Sequence, residues 1–363
     1  MPEAQKQPVN WTSRFSRIPT AQKIFFVDHL DTLIRAGIPL MHALEILAKE
    51  TSQKTFQRAI RRLKEDVELG SPLSDAIEKQ PHLFPRMYVK MVAAGEVSGT
   101  LEQSLEQIAS LMKKSHALAT AVRGAMIYPA VIFAAIGGIG LLMMTVVLPK
   151  LLMLFEDFEA ELPLATRVFI ALVKLGSNPI FLLSAVAVLT GLIVLSLVLL
   201  KRSPDFRKAI HRMNLRLPLI GRVAIQVNLA QFSFTLSSLL KSTIPIVEAV
   251  NIAGETCTNV NYRNALSDAA ARLKGGNALS ESLRSFPSLF PPIATEMIMV
   301  GEQSGQTESM LMKIADFYSK EVESTMKNFS SILEPVIIII LGIAVAGVAL
   351  AVIMPMYTLI QSI

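Results

Sequence analysis

The residue types that most often carry out chemistry are thinly spread in this chain. Its five histidines, His29, His42, His82, His116 and His211, stand without metal-ligand spacing. His42 and Glu45 lie three residues apart, which puts both on one face of a helix, but no further ligand accompanies them and an ordinary surface helix accounts for the pair. The single cysteine, Cys257, excludes an intrachain disulfide and a multi-cysteine metal site, and reads as a small helix residue. No Gly-Lys pair occurs, so the chain has no phosphate-cradling loop of the Gly-x4-Gly-Lys-Ser/Thr type. No Gly-x-Ser-x-Gly elbow occurs either. The run Gly301-Glu302-Gln303-Ser304-Gly305 offers a serine beside an acid, but no plausible histidine accompanies it. The residues therefore predict a protein that is not an enzyme and holds no cofactor, and any energy it uses comes from a partner.

What remains is a set of positions that shape the backbone or carry an isolated charge. Gly95-Glu96-Val97-Ser98-Gly99 and Gly301-Glu302-Gln303-Ser304-Gly305 are two copies of one turn. Glycine at each end permits positive φ in a sharp helix–helix connection. Glu96 and Glu302 suit the N-terminus of the following helix, where negative charge is favoured by roughly 0.3–1 kcal/mol. Gly95, Glu96, Gly99, Gly301, Glu302 and Gly305 are thus either structural caps or a contact surface for a partner. Glu334 stands immediately before Pro335 at the mouth of an apolar segment, placed to reach water, to pair with a base on another helix or to meet a partner's membrane segment. Pro129 and Pro335 each remove a helical hydrogen bond where a polar helix runs into an apolar one, giving a fixed bend or a hinge, with Arg123 just ahead of the first.

These positions belong to a chain that is 52% hydrophobic and 18% charged. Average globular chains carry about 25% charged residues, so the apolar excess needs a home. Three uncharged windows supply it, at 127–148, 180–200 and 336–354, each near the ~20 residues that cross a hydrocarbon core. The first 20 residues lack the apolar core of a cleavable signal, which predicts a cytoplasmic N-terminus. Residues 1–123 hold 17 Lys/Arg against 13 Asp/Glu, and residues 201–330 hold 15 against 11. The segment 149–179 holds 3 against 4, and the residues after Met354 hold none. Basic residues inside predict that both long polar segments are cytoplasmic, with residues 149–179 and the C-terminus outside. Their basic clusters beside the spans then face anionic lipid headgroups. No aromatic-interleaved basic patch points to nucleic acid. In the outer segment, Leu164, Val168, Ala171, Leu172 and Leu175 recur at helical spacing and predict a helix on the outer membrane surface.

Shifting the sequence by 206 residues overlays it on itself without a gap. Phe26 falls on Phe232, Pro39 on Pro245, Gly70 on Gly276, Ser74 on Ser280 and Phe84-Pro85 on Phe290-Pro291. The turns coincide, and the match runs on to Pro129 with Pro335 and Pro149 with Pro355. The repeated unit is a polar domain plus the span that follows, and the window near 180–200 returns the chain to the cytoplasm. Within the first copy, Phe26, Leu30, Leu33 and Ile34 form a helical stripe ended by Gly37. Further stripes follow, with Gly70 as a C-terminal cap and Thr100 with Gln103 as a capping box opening a long last helix. The predicted fold is an all-α membrane protein: two repeated six-helix cytoplasmic bundles plus three transmembrane helices. Its domains are 1–19 polar, 20–123 bundle 1, 124–149 span 1, 150–179 external, 180–200 span 2, 201–330 bundle 2, 331–355 span 3 and 356–363 external.

The duplication, the paired Gly-Glu-x-Ser-Gly turns, Arg123 with Tyr128-Pro129, Leu162-Pro163 with Thr166-Arg167, and Glu334-Pro335 together resemble the bacterial type II secretion F / type IV pilus assembly platform family. The resemblance covers roughly residues 20–360. Many members carry a further N-terminal segment of several dozen residues, whereas about 20 precede the first repeat here. The resemblance implies a platform in the bacterial cytoplasmic membrane, working as a homo-oligomer with a hexameric cytoplasmic ATPase and with pilins or pseudopilins. A membrane subunit of an ATPase-driven transporter is the competing expectation. Against it, only Thr145, Ser184, Thr190 and Ser196 are polar within the spans.

Overall fold

Helix limits in the computed structural model repeat with the 206-residue offset seen in the sequence; the structure describes residues 18–81, 83–147, 179–217 and 220–361. The first copy begins with α1 (Thr20–Arg35), α2 (Leu40–Glu50), α3 (Lys54–Glu68), α4 (Leu73–Glu78) and α5 (Arg86–Ser98), then enters α6 (Leu101–Leu142), which closes on a π-helical turn, Met143–Val147. Two helices, α7 (Pro179–Arg202) and α8 (Pro204–Arg216), follow. The second copy comprises α9 (Ile220–Lys241), α10 (Ile246–Thr256), α11 (Val260–Lys274), α12 (Leu279–Arg284), α13 (Pro292–Ser304) and the long α14 (Thr307–Gln361). From α10 to the start of α14, every boundary is the first-copy boundary plus 206. No strand occurs among the described residues. Residues 150–178, for which the sequence predicts an external segment with an interfacial helix, lie outside the described residues, as do the first 17.

One unit contains the described residues up to Thr120 together with Arg222–Val322, and therefore both polar copies. Each copy is built on one aromatic trio at matching positions. In the first, Phe26 lies 5.6 Å from Phe56 and 6.0 Å from Phe84 between ring centroids. In the second, Phe290 lies 5.8 Å from Phe232 and 5.3 Å from Tyr262. Edge and tilted contacts of this kind add about 0.5–1.5 kcal/mol beyond the apolar area they bury. Where the second copy substitutes tyrosine, the buried hydroxyl donates to the Leu289 carbonyl, so the polar atom is satisfied. Leu44, Leu47, Ile60, Leu63 and Leu73 fill in around the first trio and are fully buried.

The helix ends follow the expected glycines with one exception. Gly37 has φ +81°, and the N–H of Ile38 donates to Leu33 O at 3.0 Å, closing α1 in a Schellman turn. The same turn ends α9, with Ile244 N–H donating to Leu239 O at 3.1 Å, but the left-handed residue there is Thr243, at φ +59°. A β-branched residue in that region is held about 1–2 kcal/mol above its relaxed backbone. Thr243→Gly is therefore expected to stabilise the second copy by about 1 kcal/mol, and Gly37→Thr to destabilise the first by a similar amount. The check is modification of the buried Cys257 thiol, which slows about fivefold in Thr243→Gly if local opening controls access.

The second unit contains Ala121–Gly221 and Glu323–Ile363. Among the described residues three helices are long and apolar enough to cross a membrane: α6, α9 and α14. They are not alike. The apolar window of α6 is 6% buried and that of α14 is 12% buried, whereas that of α9 is 72% buried. The apolar side chains of the first two windows are therefore mostly uncovered among the described residues, while α9 has spent its own on the second copy's core. The internal repeat places α9 correctly, because its Phe232 is the counterpart of Phe26; composition alone does not separate a buried helix from a span. The window at 180–200 falls on α7, a 24-residue helix whose Leu183, Val188 and Leu192 are exposed. After it comes α8, a short helix that the sequence reading did not resolve, capped by Ser203, whose Oγ accepts from Phe206 N–H at 3.3 Å.

Candidate functional site

The two turns are helix ends of unequal parts. Gly99 and Gly305 are left-handed C-caps, both at φ +69°, as the sequence predicts. Gly95 and Gly301 are not at positive φ; they lie inside α5 and α13 and are glycine because another backbone approaches. A Cβ on Gly95 would stand 2.3 Å from Ser104 Oγ and 3.2 Å from Leu101 Cα, and one on Gly301 3.0 Å from both Thr307 Cα and Met310 Cβ. These glycines let the first turn of α6 or α14 cross close over the preceding helix.

The glutamates also act elsewhere than expected. Glu96 does not cap the helix that follows it; it reaches back to α4. Its carboxylate accepts from Leu73 N–H at 2.5 Å, Ser74 N–H at 3.0 Å and the Ser74 hydroxyl at 2.5 Å. Glu302 does the same for α12, accepting from Leu279 N–H at 2.6 Å, Ser280 N–H at 3.0 Å and the Ser280 hydroxyl at 2.5 Å. A helix N-terminus offers unpaired N–H donors and positive potential, so a carboxylate is a favoured partner even from a distant part of the chain. The local capping box expected at Thr100 does not form: its hydroxyl pairs with Ser98 Oγ at 2.6 Å. Glu96 and Glu302 thus tie helix four of each copy to helix five, and leave Val97, 92% exposed, at the tip of the first turn.

Within the first unit the two copies meet along a junction the sequence did not reveal. From the first copy come Arg86 and Lys90 of α5 and Gln107, Lys114 and Ser115 of α6. From the second come α9, α10 and the start of α14. Lys90 pairs with Glu248 at 3.0 Å, Arg86 with Glu255 at 3.7 Å and Lys114 with Asp316 at 3.1 Å. Lys114 also sits 4.7 Å from the Phe234 ring centroid. The Ser242 hydroxyl donates to Gln107 Oε1 and the Ser115 hydroxyl to Gln231 Oε1, each at 2.9 Å. All three bases belong to the first copy and all three acids to the second. Exposed pairs contribute about 0–1 kcal/mol each, so they set register more than strength. An open groove of about 620 Å³ runs beside the junction, flanked by Arg86, Glu248, Glu255 and Arg263.

The other sequence candidates are structural or outward-facing. Cys257 ends α10 rather than sitting within it; burial pushes its thiol up to about 12, so it is not a nucleophile at neutral pH. Glu45, the partner considered for His42, holds Lys49 at 2.9 Å and Lys64 at 3.3 Å; hydrogen bonds from those two lysines lower its pKa. In the second unit Arg123 and Glu334 are exposed; Pro129 is buried while Pro335 is exposed. Both prolines lie within continuous helices, α6 and α14, so neither interrupts the passage from polar to apolar sequence.

Comparison with known proteins agrees with this duplicated architecture. The family described as Type II secretion system (T2SS), protein F, matches residues 26–149 and again 232–355, the two copies with their following apolar segments. The chain is 32% identical to the type IV pilus assembly protein PilC of Thermus thermophilus over 99% of this chain and 89% of that protein. It is 33% identical to the type II secretion system protein F of Xanthomonas campestris over 94% of this chain and 84% of that protein. The type IV pilus assembly protein PilC of Pseudomonas aeruginosa is 29% identical, over 98% and 95% of the two chains.

Proposed function

The chain belongs to the type II secretion system protein F family, and from that membership we propose that it is the inner-membrane platform of a type IV pilus or type II secretion machine. The observation that carries this reading is the pairing of two family domains with near full-length similarity to proteins named for pilus assembly and for secretion. In this reading the two polar copies are six-helix bundles in the cytoplasm, α6, α7 and α14 cross the membrane, and the C-terminus lies outside. The basic residues after α7, including Arg207, Lys208 and Arg212, then lie against anionic headgroups, each worth about 1 kcal/mol near such a surface.

The platform works as a homo-oligomer, takes motion from a cytoplasmic hexameric ATPase and passes it to pilins or pseudopilins drawn from the membrane. Glu96 and Glu302 hold the turns, while the turn tips, flanked by Gly95, Gly99, Gly301 and Gly305, meet the ATPase. Each bundle is continuous with a span through α6 or α14, so a displacement of the bundle is delivered along the helix past Arg123 and Pro129, or past Glu334 and Pro335.

Reciprocal capture with the assembly ATPase of the same genome tests this, using wild type and Val97→Asp/Gln303→Asp. These substitutions alter exposed turn residues without touching the caps. Wild type is expected to capture the ATPase, and the variant to lose at least tenfold while Cys257 stays protected. Equal capture by both restricts the turns to their structural role. No capture by wild type removes the platform reading and restores the transporter one, for which solute flux in vesicles is the measure.

A further inference from the structure

Between α7 and the second copy lies α8, outside both family matches, 26–149 and 232–355. A single residue separates the two helices. Ser203, extended at φ −110° and ψ 110°, follows α7, and Pro204 opens α8 at a position where its missing N–H costs nothing. The extended residue breaks the helical path, so α8 starts on a new axis. Its 13 residues span about 20 Å and carry Arg207, Lys208, Arg212 and Arg216 against Asp205, which makes α8 too short and too charged to cross hydrocarbon itself.

The two faces of α8 differ. Phe206, Ile210 and Met213 recur at i, i+4 and i+7, one stripe of a 3.6-residue helix, and Leu217 extends the series just past its end. Phe206 and Ile210 are half-buried, but Met213 is 58% and Leu217 42% exposed, so the outer end of the stripe is uncovered among the described residues. Lys208 and Arg212 lie on the opposite side, both exposed, and neither pairs with an acid among the described residues. Arg207 lies between the two faces, and its Nε is buried without a hydrogen-bond partner among those residues. Leu215 is the one large apolar residue on the basic side. A short helix with an apolar stripe and a basic flank, low in overall hydropathy, suits a membrane–water interface.

We propose that α8 lies in the plane of the cytoplasmic membrane surface, with Phe206, Ile210 and Met213 at the acyl boundary and Arg207, Lys208 and Arg212 on the headgroups of anionic phospholipids. This rests on the reading of α7 as a span, and adds to the headgroup contact of the basic residues an in-plane helix that inserts and selects lipid by charge. Two observations name the occupant. The first is continuity: α8 starts one residue after a helix whose Leu183, Val188 and Leu192 are 71%, 61% and 58% exposed, so its stripe continues an uncovered apolar surface. The second is charge: bases that hold no acid suit phosphate, and a phosphodiester oxygen supplies the acceptor that Arg207 Nε lacks. A bilayer of zwitterionic lipid satisfies the stripe but not the bases, so α8 distinguishes membranes by headgroup charge.

The test uses the full-length chain in a Cys257→Ala background, reconstituted in phosphatidylcholine vesicles with and without phosphatidylglycerol. Met213→Cys, Lys208→Cys and Leu192→Cys each carry an environment-sensitive fluorophore. The quenchers are iodide on both sides, lipid with a nitroxide near the headgroup, and lipid with one deep in the chain. In vesicles with phosphatidylglycerol, the shallow nitroxide is expected to quench the Met213 label about threefold more than the Lys208 label, which iodide reaches. Adding Lys208→Glu/Arg212→Glu to Met213→Cys is expected to lower its shallow quenching about twofold or more, and so is omission of phosphatidylglycerol. Equal iodide access at Met213 and Lys208 overturns the proposal. A Met213 label shielded from iodide and from both nitroxides overturns it in favour of a protein cover. Shallow quenching that ignores both charge reversal and lipid overturns the choice of anionic headgroups. Deep quenching of the Leu192 label shows separately that α7 spans; its absence removes that reading and the proposal with it.

Discussion

Glu302→Ala is expected to expose Cys257 to a maleimide about 30- to 150-fold faster than in wild type, with little change in the secondary structure of the unperturbed protein. The expectation rests on three hydrogen bonds that converge on one carboxylate from Leu279, Ser280 and the Ser280 side chain. Hydrogen bonds to charged groups contribute about 1.5–3 kcal/mol, and loss of an N-cap costs about 0.5–2 kcal/mol. Because Glu302 is half-buried, water replaces part of what is lost, and about 2–3 kcal/mol is the net cost. Cys257 lies in the same copy and is buried, so its labelling reports the opening that this cap resists. Glu302→Gln, with one acceptor oxygen left, falls between wild type and alanine. Ser280→Ala removes one bond and slows or speeds little else. Glu96→Ala makes the same loss in the first copy, where Cys257 does not report, so its effect on labelling is expected to be several-fold smaller.

Gly95→Ala is expected to destabilise the first copy by about 1–3 kcal/mol, although alanine in an exposed helix interior would ordinarily stabilise by about 1 kcal/mol. The added methyl would meet Ser104 Cβ at 2.7 Å and Leu101 Cα at 3.2 Å, and the second of these is backbone. Rotating the Ser104 hydroxyl relieves only its Oγ contact. Ser104→Ala should therefore fail to rescue Gly95→Ala, whereas Ser104→Gly should recover part of the loss. Gly301→Ala, with nearest contacts of 3.0 Å, should cost less than Gly95→Ala. Urea midpoints from pulse proteolysis of the full chain in detergent measure all four variants. Equal stability of Gly95→Ala and wild type would mean that α5 and α6 do not approach as closely as the structure shows.

Much of the fold was legible because the chain states it twice. An apolar stripe beside a glycine is weak evidence for a helix end, but the same stripe and glycine 206 residues later is strong, and the helix limits repeat at that spacing. The repeat pairs α9 with α1 through Phe232 and Phe26, whereas length and composition alone would make α9 a candidate span. The target of Glu96 was not legible, because its partners lie 22 and 23 residues away and no local period links them. The signal existed in the duplication, since Ser74 and Ser280 stand at the same distance from their glutamates. The inner glycines were misread because a helical glycine and a left-handed glycine look alike in sequence; only the crossing of the next helix separates them. The junction was hidden for the opposite reason. Apart from Lys114, which Lys320 matches, its residues are ones at which the copies diverge, such as Arg86 against Pro292, Lys90 against Glu296 and Phe234 against Asp28, so a search for sameness passes over them.

Divergence within a duplicated chain is therefore informative about what each copy touches. In the ion pairs where the copies meet, the first copy shows bases and the second acids. A symmetric pair of domains would need no such difference.

The most direct measurement is to delete the gene and return it as wild type or as Val97→Asp/Gln303→Asp, scoring surface fibres by electron microscopy, secreted substrates in the medium and pilin in the membrane fraction. The platform account predicts that deletion abolishes fibres or secretion while pilins remain in the membrane at normal levels and the ATPase is still made; wild type restores assembly, and the turn variant restores less than a tenth of it. Fibres and secretion that persist unchanged in the deletion strain would contradict the account.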